Sequence, residues 1–420
     1  MKIITQLNLF EETELGDLEK ILAVVDSLPE TGLLEQIESK RKGGRQDYSV
    51  QSYFIAYIAK LVLQLQTDKQ LVRQLNCNSQ LRQICGFETH WVSLKDGTVK
   101  KVHAPSAASF SRFMTDLEAV VDNLEAWSKT AIAKVYDCLP DFGAHLALDG
   151  KYLDSYASPY QKNRKRRDHR SDLDADFSKK ETHLPNGQVL TIKHFGYRLH
   201  LFADTKYGLP VDWEVTPASK GEPTIAKRKL QNMSQIILDR AKYLMADKGY
   251  SGKPLQDLLE DANIIPVIDN RHQWKEDETR QYLNTDLIYN QNGQVWYVDE
   301  HGKAIELIYK GYDNSCDSLR YGFHPKYQNS KIYRLKRSVE PIIFNIIARS
   351  SAKFKKLYKE RTSIERLNGR LDRDFRLENH TIRGLAKMKV VVAMNFLVMV
   401  GFALYKLNHG QTSHLASWVA

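Results

Sequence analysis

Three carboxylates in this 420-residue chain occupy positions from which they could do metal-assisted chemistry. Asp149 closes the apolar run Ala144-His145-Leu146-Ala147-Leu148, and Asp247 closes Tyr243-Leu244-Met245-Ala246. Glu365 lies in the basic stretch Arg361-Thr362-Ser363-Ile364-Glu365-Arg366-Leu367. Short apolar runs bounded by polar residues read as buried strands, and in open α/β sheets functional groups gather at strand ends. Hard divalent cations such as Mg²⁺ prefer oxygen ligands and keep some of their water. Two such ions can activate an attacking water or 3′-hydroxyl and stabilise the leaving oxygen of an in-line displacement at phosphorus. Each acid alone has an ordinary explanation. Asp149 before Gly150, and Asp247 before Lys248-Gly249, are turn or cap residues by type. Glu365 is spaced to pair with Arg361 one helical turn away. Two strand-end aspartates and a helical glutamate together describe a metal-binding set.

The elements that must position these acids can be traced along the chain. Apolar residues from Tyr48 to Phe87 recur at helical spacing, and Ser93 to Pro105 reads as a Gly-, Pro- and Lys-bearing loop. Ser106 or Ser109 then caps one long helix through Val135. After the strand ending at Asp149 comes a polar loop, then strands at Val189–Ile192, Tyr197–Ala203 and Pro210–Thr216, the last two forming a hairpin. One helix from Glu222 to Asp239, the strand ending at Asp247, a helix from Pro254 to Asp261 and a strand over Ile264–Ile268 follow. The order describes an α/β fold with a mixed sheet flanked by helices. The expected organisation is an acidic segment over 1–40, a helical and DNA-binding region over 41–140, and a catalytic core over 141–269 and 336–405. A β-rich insertion fills 270–335, and a tail spans 406–420.

Composition narrows the partners. The net charge is +10, from 61 basic and 51 acidic residues. Residues 1–40 hold nine acids against three lysines, a net of −6, so the rest of the chain carries +16. A basic body favours a polyanion. Lys162, Arg164, Lys165, Arg166, Arg167 and Arg170 crowd the loop after Asp149, where like charges repel unless phosphates neutralise them. The longest apolar stretch, Val390 to Leu404, contains Asn395 and Gly401 and is expected to be a core helix rather than a bilayer span. The first ten residues lack signal-peptide features. The four cysteines, with no C-x-x-C pair, are expected to be buried free thiols in a reducing cytoplasm. No G-x-x-x-x-G-K-[ST] loop occurs, so ATP is not an expected substrate. Trp213 and Trp296 are read as packing residues before base-stacking ones.

Three segments resemble the DDE (Asp-Asp-Glu) transposases of bacterial insertion sequences: Leu148-Asp149-Gly150-Lys151, Ala246-Asp247-Lys248-Gly249-Tyr250-Ser251-Gly252, and Tyr358-Lys359-Glu360-Arg361-Thr362-Ser363-Ile364-Glu365-Arg366. Tyr207-Gly208-Leu209-Pro210, Leu81 to Phe87 and Phe110 to Phe113 support the likeness, which covers about residues 40 to 405. The resemblance implies a ribonuclease-H-like catalytic core, with Asp149, Asp247 and Glu365 as ligands of Mg²⁺, for which Mn²⁺ can substitute. It also implies a β-rich insertion before the glutamate. It further implies binding to the ends of a mobile element, cleavage, and joining of the 3′-hydroxyl ends to target DNA by a dimer. Lys248, Tyr358 and Arg361 would then position phosphates. A subgroup of that family carries a Tyr, Arg, Glu, Lys signature. Tyr358, Arg361 and Glu365 fit its spacing, but the lysine position falls on Asp372, leaving Arg370 or Arg373 to supply the cation. Two rival readings are a nuclease on the same core that never joins strands, and a domesticated DNA-binding protein without catalysis.

Overall fold

The computed structural model describes residues 16–41, 48–93, 96–159, 171–183, 188–271, 274–275 and 277–417. The basic loop residues Lys162, Arg164, Lys165, Arg166, Arg167 and Arg170 lie outside this set.

The amino-terminal part is helical: α1 (Asp17–Ser27), α2 (Leu33–Lys40), α3 (Val50–Val62), α4 (Asp68–Cys77) and α5 (Ser79–Cys85). Thr67 and Gln70 form a reciprocal capping box at the start of α4, satisfying backbone donors that the first turn leaves open. The expected loop over Ser93–Pro105 is instead a two-stranded ribbon, β1 (His90–Ser93) and β2 (Val99–Val102). Its strands are mostly exposed on both faces, so no hydrophobic alternation marks them. The long helix expected up to Val135 is two helices, α6 (Ala107–Glu118) and α7 (Val121–Cys138). Ser106 caps α6 through Ser109 N, and the chain breaks at Val120, whose φ of −129° is not helical.

The central sheet contains β3 (His145–Asp154), β4 (Asp176–His183), β5 (Val189–Asp204), β6 (Pro210–Pro217), β7 (Tyr243–Ala246) and β8 (Ile265–Ile268). Its order is β4-β5-β3-β7-β8, with β6 paired along β5. β3, β5 and β6 are antiparallel neighbours, whereas β3, β7 and β8 run parallel. The fold is therefore mixed α/β, as expected. β3 differs from expectation, because it does not end at Asp149. Its antiparallel ladder with β5 continues from Asp149↔Leu201 to Asp154↔Gly196, while its parallel ladder with β7 stops at Leu148↔Ala246. Two expected strands merge into the 16-residue β5, whose first half pairs with β4. β4 lies in the expected polar loop, and its own sequence, Asp176 to His183, carries no apolar face to announce it.

The helix expected over Glu222–Asp239 is likewise two, α8 (Glu222–Gln231) and α9 (Gln235–Arg240), and α10 (Lys253–Asp261) joins β7 to β8. A separate antiparallel sheet follows, comprising β9 (Thr279–Gln281), β10 (Leu287–Asn290), β11 (Val295–Val298), β12 (Ala304–Asp313), β13 (Ser318–Gly322) and β14 (Ile332–Lys336). It packs its own core around Tyr289, Val295, Leu319, Tyr321 and Phe344. The chain returns through α11 (Ala352–Lys359), α12 (Thr362–Arg373) and α13 (Leu385–Asn408).

α13 is long and apolar enough to cross a bilayer by length and composition, but the protein buries it. It contacts α1, α3, α6, α7 and β6, and every residue from Val390 to Leu404 is buried. A helix apolar on all sides needs such a surround. Trp213 of β6 packs on Phe396 of α13 with ring centroids 4.7 Å apart, so it is a core residue. The cysteines depart from expectation: all four are free thiols, but only Cys85 is buried.

Candidate active site

The two aspartates are neighbours because of strand register. Leu148 pairs with Ala246 as the last rung of the β3–β7 ladder, so Asp149 and Asp247 each follow the last paired residue of two parallel strands, which neighbour each other at about 4.8 Å in a sheet. Beneath them Leu146, Ala147, Leu148, Leu244, Met245 and Ala246 are fully buried, which fixes both carboxylates on a rigid base. β7 ends at Ala246, and the next residue, Asp247, accepts at Oδ1 from Gly249 N at 2.7 Å. The turn reading of this residue is therefore real, yet it leaves the second carboxylate oxygen uncommitted by that bond.

α12 brings the third acid. Ile364, Leu367 and Leu371 bury one face of the helix, which packs on β3 and β5. Glu365 and Asn368 are three residues apart and share a face. Asn368 Nδ2 donates to Asp149 Oδ2 at 3.3 Å. Glu365 Oε1 accepts from Arg361 Nη2 at 2.6 Å, with the glutamate side chain half exposed. Among the described residues, no three His, Cys, Asp or Glu side chains are placed together to hold a metal ion. The aspartates are in position, and Glu365 is engaged by Arg361.

Electrostatics ties the set together. Asp149 is pushed up to about 6, first by burial and then by Asp247 and Glu365, while the Gly150 backbone and Arg361 pull it down. A carboxyl raised by burial and like charges gains from a cation that replaces the missing counter-charge.

A fourth acid escaped sequence reasoning. Glu222 begins α8 and ion-pairs with Arg198 of β5 at 3.1 Å. A side chain at Gly150 would collide with its carboxyl, and one at Gly249 would come within 3.6 Å of Oε2. Burial raises the Glu222 carboxyl most, and Asp247 and Asp149 add to it. Tyr250, fully buried, is raised well above its ordinary range by burial and then by Glu222, Asp149 and Asp247. Glycines one and two positions after the aspartates were the only sequence signal that another group packs there.

The structure sorts the remaining expected residues. Tyr358 stacks on Phe354 with centroids 5.6 Å apart, and the Arg361 guanidinium lies 5.8 Å from the Tyr358 ring centre. Lys248 is exposed in the turn after Asp247, and its carbonyl accepts from Arg271 Nε at 3.1 Å. Arg370 reaches away to the carbonyl of Gly208 at 3.4 Å. Arg373 is held by Asp374, at 2.7 and 3.1 Å. The hydrogen bonds of Arg370 and Arg373 thus go to Gly208 and Asp374. Lys151 of β3 stands at position 372, with Nζ 2.6 Å from Asp372 and 3.2 Å from Glu378.

Comparison with known proteins gives the family of the chain. The family model described as "Transposase DDE domain" matches residues 162–400, more than half of the chain, and "Transposase domain (DUF772)" matches residues 9–96. The chain belongs to the DDE-domain transposases. The first match includes Asp247 and Glu365 and begins after Asp149. Among solved structures, the piggyBac transposase synaptic complex with hairpin DNA is 11% identical, over 94% of this chain and 76% of that one, with a TM-score of 0.41. The Mos1 transposase paired-end complex with left transposon end is 13% identical, over 56% of this chain and 62% of that one, with a TM-score of 0.17. These likenesses are loose. No match was found among curated proteins.

Proposed function

We propose that this transposase binds the ends of a mobile DNA element, hydrolyses a phosphodiester there, and joins the freed 3′-hydroxyl to target DNA. One observation carries the reading: Asp149 and Asp247 follow the last rung of one parallel ladder, and Asn368 of the helix that bears Glu365 donates to Asp149. The sheet order supports a ribonuclease-H-like core.

The donor set is all oxygen and its charges repel, which fits a hard divalent cation, Mg²⁺ or Mn²⁺. Asp149 and Asp247 would hold it, with Glu365 completing the set once its ion pair with Arg361 opens. Such a cation supplies Lewis-acid polarisation of the phosphoryl oxygen and a more acidic bound water. The protein's own residues do the rest. Asn368 orients Asp149. Lys248, Tyr358 and Arg361 would contact phosphates of the cut strand. Lys151, held by Asp372 and Glu378, keeps a cation beside position 372. Arg164, Lys165, Arg166 and Arg167, together with Arg370 and Arg373, are further candidates for backbone contacts. Cutting at two ends favours a homodimer on DNA, and a chain acting on bacterial DNA would work in the cytoplasm.

The test is a joining assay with precut element-end duplexes, target plasmid and Mg²⁺. Joined product is expected, abolished by Asp149→Asn. Hydrolysis without joined product would instead favour a nuclease, and DNA binding with neither product would favour a domesticated binding protein.

A further inference from the structure

The short helix leading into the site carries a charge pattern that the acidic set does not use. α11 has the sequence Ala-Lys-Phe-Lys-Lys-Leu-Tyr-Lys: four lysines and no acid. Phe354 and Leu357 are buried against Met245, Val267 and Ile347, so the helix is seated on β7 and β8. β7 is the strand that leads into Asp247. Lys353, Lys355, Lys356 and Lys359 are all exposed. None of them makes an ion pair with an acid among the described residues, although lysines such as Lys60, Lys151, Lys206 and Lys229 do.

Two cavities flank this helix. One, of about 560 Å³, has Lys355, Tyr358 and Lys359 in its wall and opens toward the inserted sheet through Asn292 and Gln294. The other, of about 690 Å³, takes Lys356 and Lys359 from α11 with Lys242 and Arg366. The acids of that second cavity are already engaged. Asp141 accepts from Lys206 and Tyr207, Glu360 from His145 and Thr205, and Asp204 from the backbone N–H groups of Gly143 and Tyr207. In the second cavity the uncommitted charge is positive, from Lys242, Lys356, Lys359 and Arg366, whereas the first also holds the carboxylates of Asp269 and Glu306.

We infer that α11 is a rail for the sugar-phosphate backbone of duplex DNA continuing away from the strand cut at Asp149 and Asp247. This rests on the DNA-processing reading of the site. The lysine row leads to Tyr358 and, past Glu360, which His145 and Thr205 engage, to Arg361, which reaches Glu365 at 2.6 Å. From Lys353 to Lys359 the helix rises about 9 Å, or two to three nucleotide steps at roughly 3.4 Å each. Lysine contacts phosphate as a point charge without reading bases, so the rail holds any sequence and fixes where the cut strand lies.

The experiment uses the full chain and a mixed-sequence duplex, with affinity measured across a salt series. Each neutralised phosphate contributes about 0.9 to the slope of log K against log salt. Replacing Lys353, Lys355, Lys356 and Lys359 together by Gln is expected to reduce that slope by about two to three at an unchanged melting temperature. Replacing Lys303, Lys310, Lys326 and Lys331 of the inserted sheet by Gln removes the same charge elsewhere and is expected to leave the slope nearly unchanged. An unchanged slope in the first variant overturns the rail, as does an equal drop in both variants. A loss confined to the same DNA in single-stranded form overturns the duplex assignment. Wild-type nicking of that DNA in Mg²⁺ is scored separately, so a failed DNA-processing reading is distinguishable from a failed rail.

Discussion

At the scale of residues, the proposed site is two neighbouring aspartates and a glutamate paired with Arg361. Asp149, raised to about 6 by burial and its acidic neighbours, must lose its proton before it can ligate a cation. Mn²⁺ affinity of the DNA-free chain should therefore fall about tenfold per pH unit below ~6 and level off above ~7. A titration at stepped pH with no inflection near 6 would remove Asp149 from the site. The 2.6 Å pair between Arg361 and Glu365 competes with the same cation. For a half-exposed pair worth under about 1 kcal/mol, Arg361→Gln should raise Mn²⁺ affinity by roughly two- to five-fold. The same variant should weaken DNA cleavage, because the phosphate loses a partner. Lower Mn²⁺ affinity in that variant would show that the arginine does not restrain the glutamate. The aspartates were legible because each closes an apolar run. Glu222 was not, since only the fold brings the start of α8 against Gly150 and Gly249. Nor could the sequence show that Lys151 stands at Asp372, 221 residues along the chain.

At the scale of elements, legibility followed one-sided burial. β7, β8 and α13 announce themselves by apolar residues that the core demands. β1, β2 and β4 do not, because strands solvated on both faces carry no alternation, and the breaks at Val120 and between α8 and α9 lack a Gly or Pro to mark them. β5 carries a testable consequence. His200 is buried, with Nε2 3.0 Å from Thr216 Oγ1, and burial lowers its pKa from 6.5 to about 3, with Arg198 and Arg228 adding to the effect. The unfolded chain thus binds this proton more readily, so stability rises with pH across the window from about 3 to 6.5. His200 contributes fully above 6.5, and its contribution is lost on acidification at up to about 1.4 kcal/mol per unit. Chemical denaturation at stepped pH should show a shallower acid loss in His200→Gln than in wild type. Parallel curves would show that the imidazole is not the group responsible.

At the scale of the whole molecule, the charge pattern and the topology serve one end. The sheet places Asp149 and Asp247 just past the parallel ladder, α12 packs on β3 and β5, and α11 carries its lysines on β7 and β8. The net positive body was legible from composition alone. Which lysines remain unpaired was not, because that depends on acids brought near by folding, as with Asp212 and Lys229 at 2.6 Å. The sequence suggested that the basic cluster after Asp149 would carry the DNA; the described structure points also to α11, far along the chain yet packed on the strand that leads into Asp247.

The most direct test is nicking of supercoiled plasmid by the full chain in Mg²⁺, compared with Asp149→Asn, Asp247→Asn and Glu365→Gln variants of matched melting temperature. Groups acting as one unit give non-additive losses. Each single substitution should reduce nicking at least about 100-fold, with the triple variant scarcely worse than any single one. Nicking that survives in Asp149→Asn or Asp247→Asn at wild-type rate would place the chemistry elsewhere in the protein.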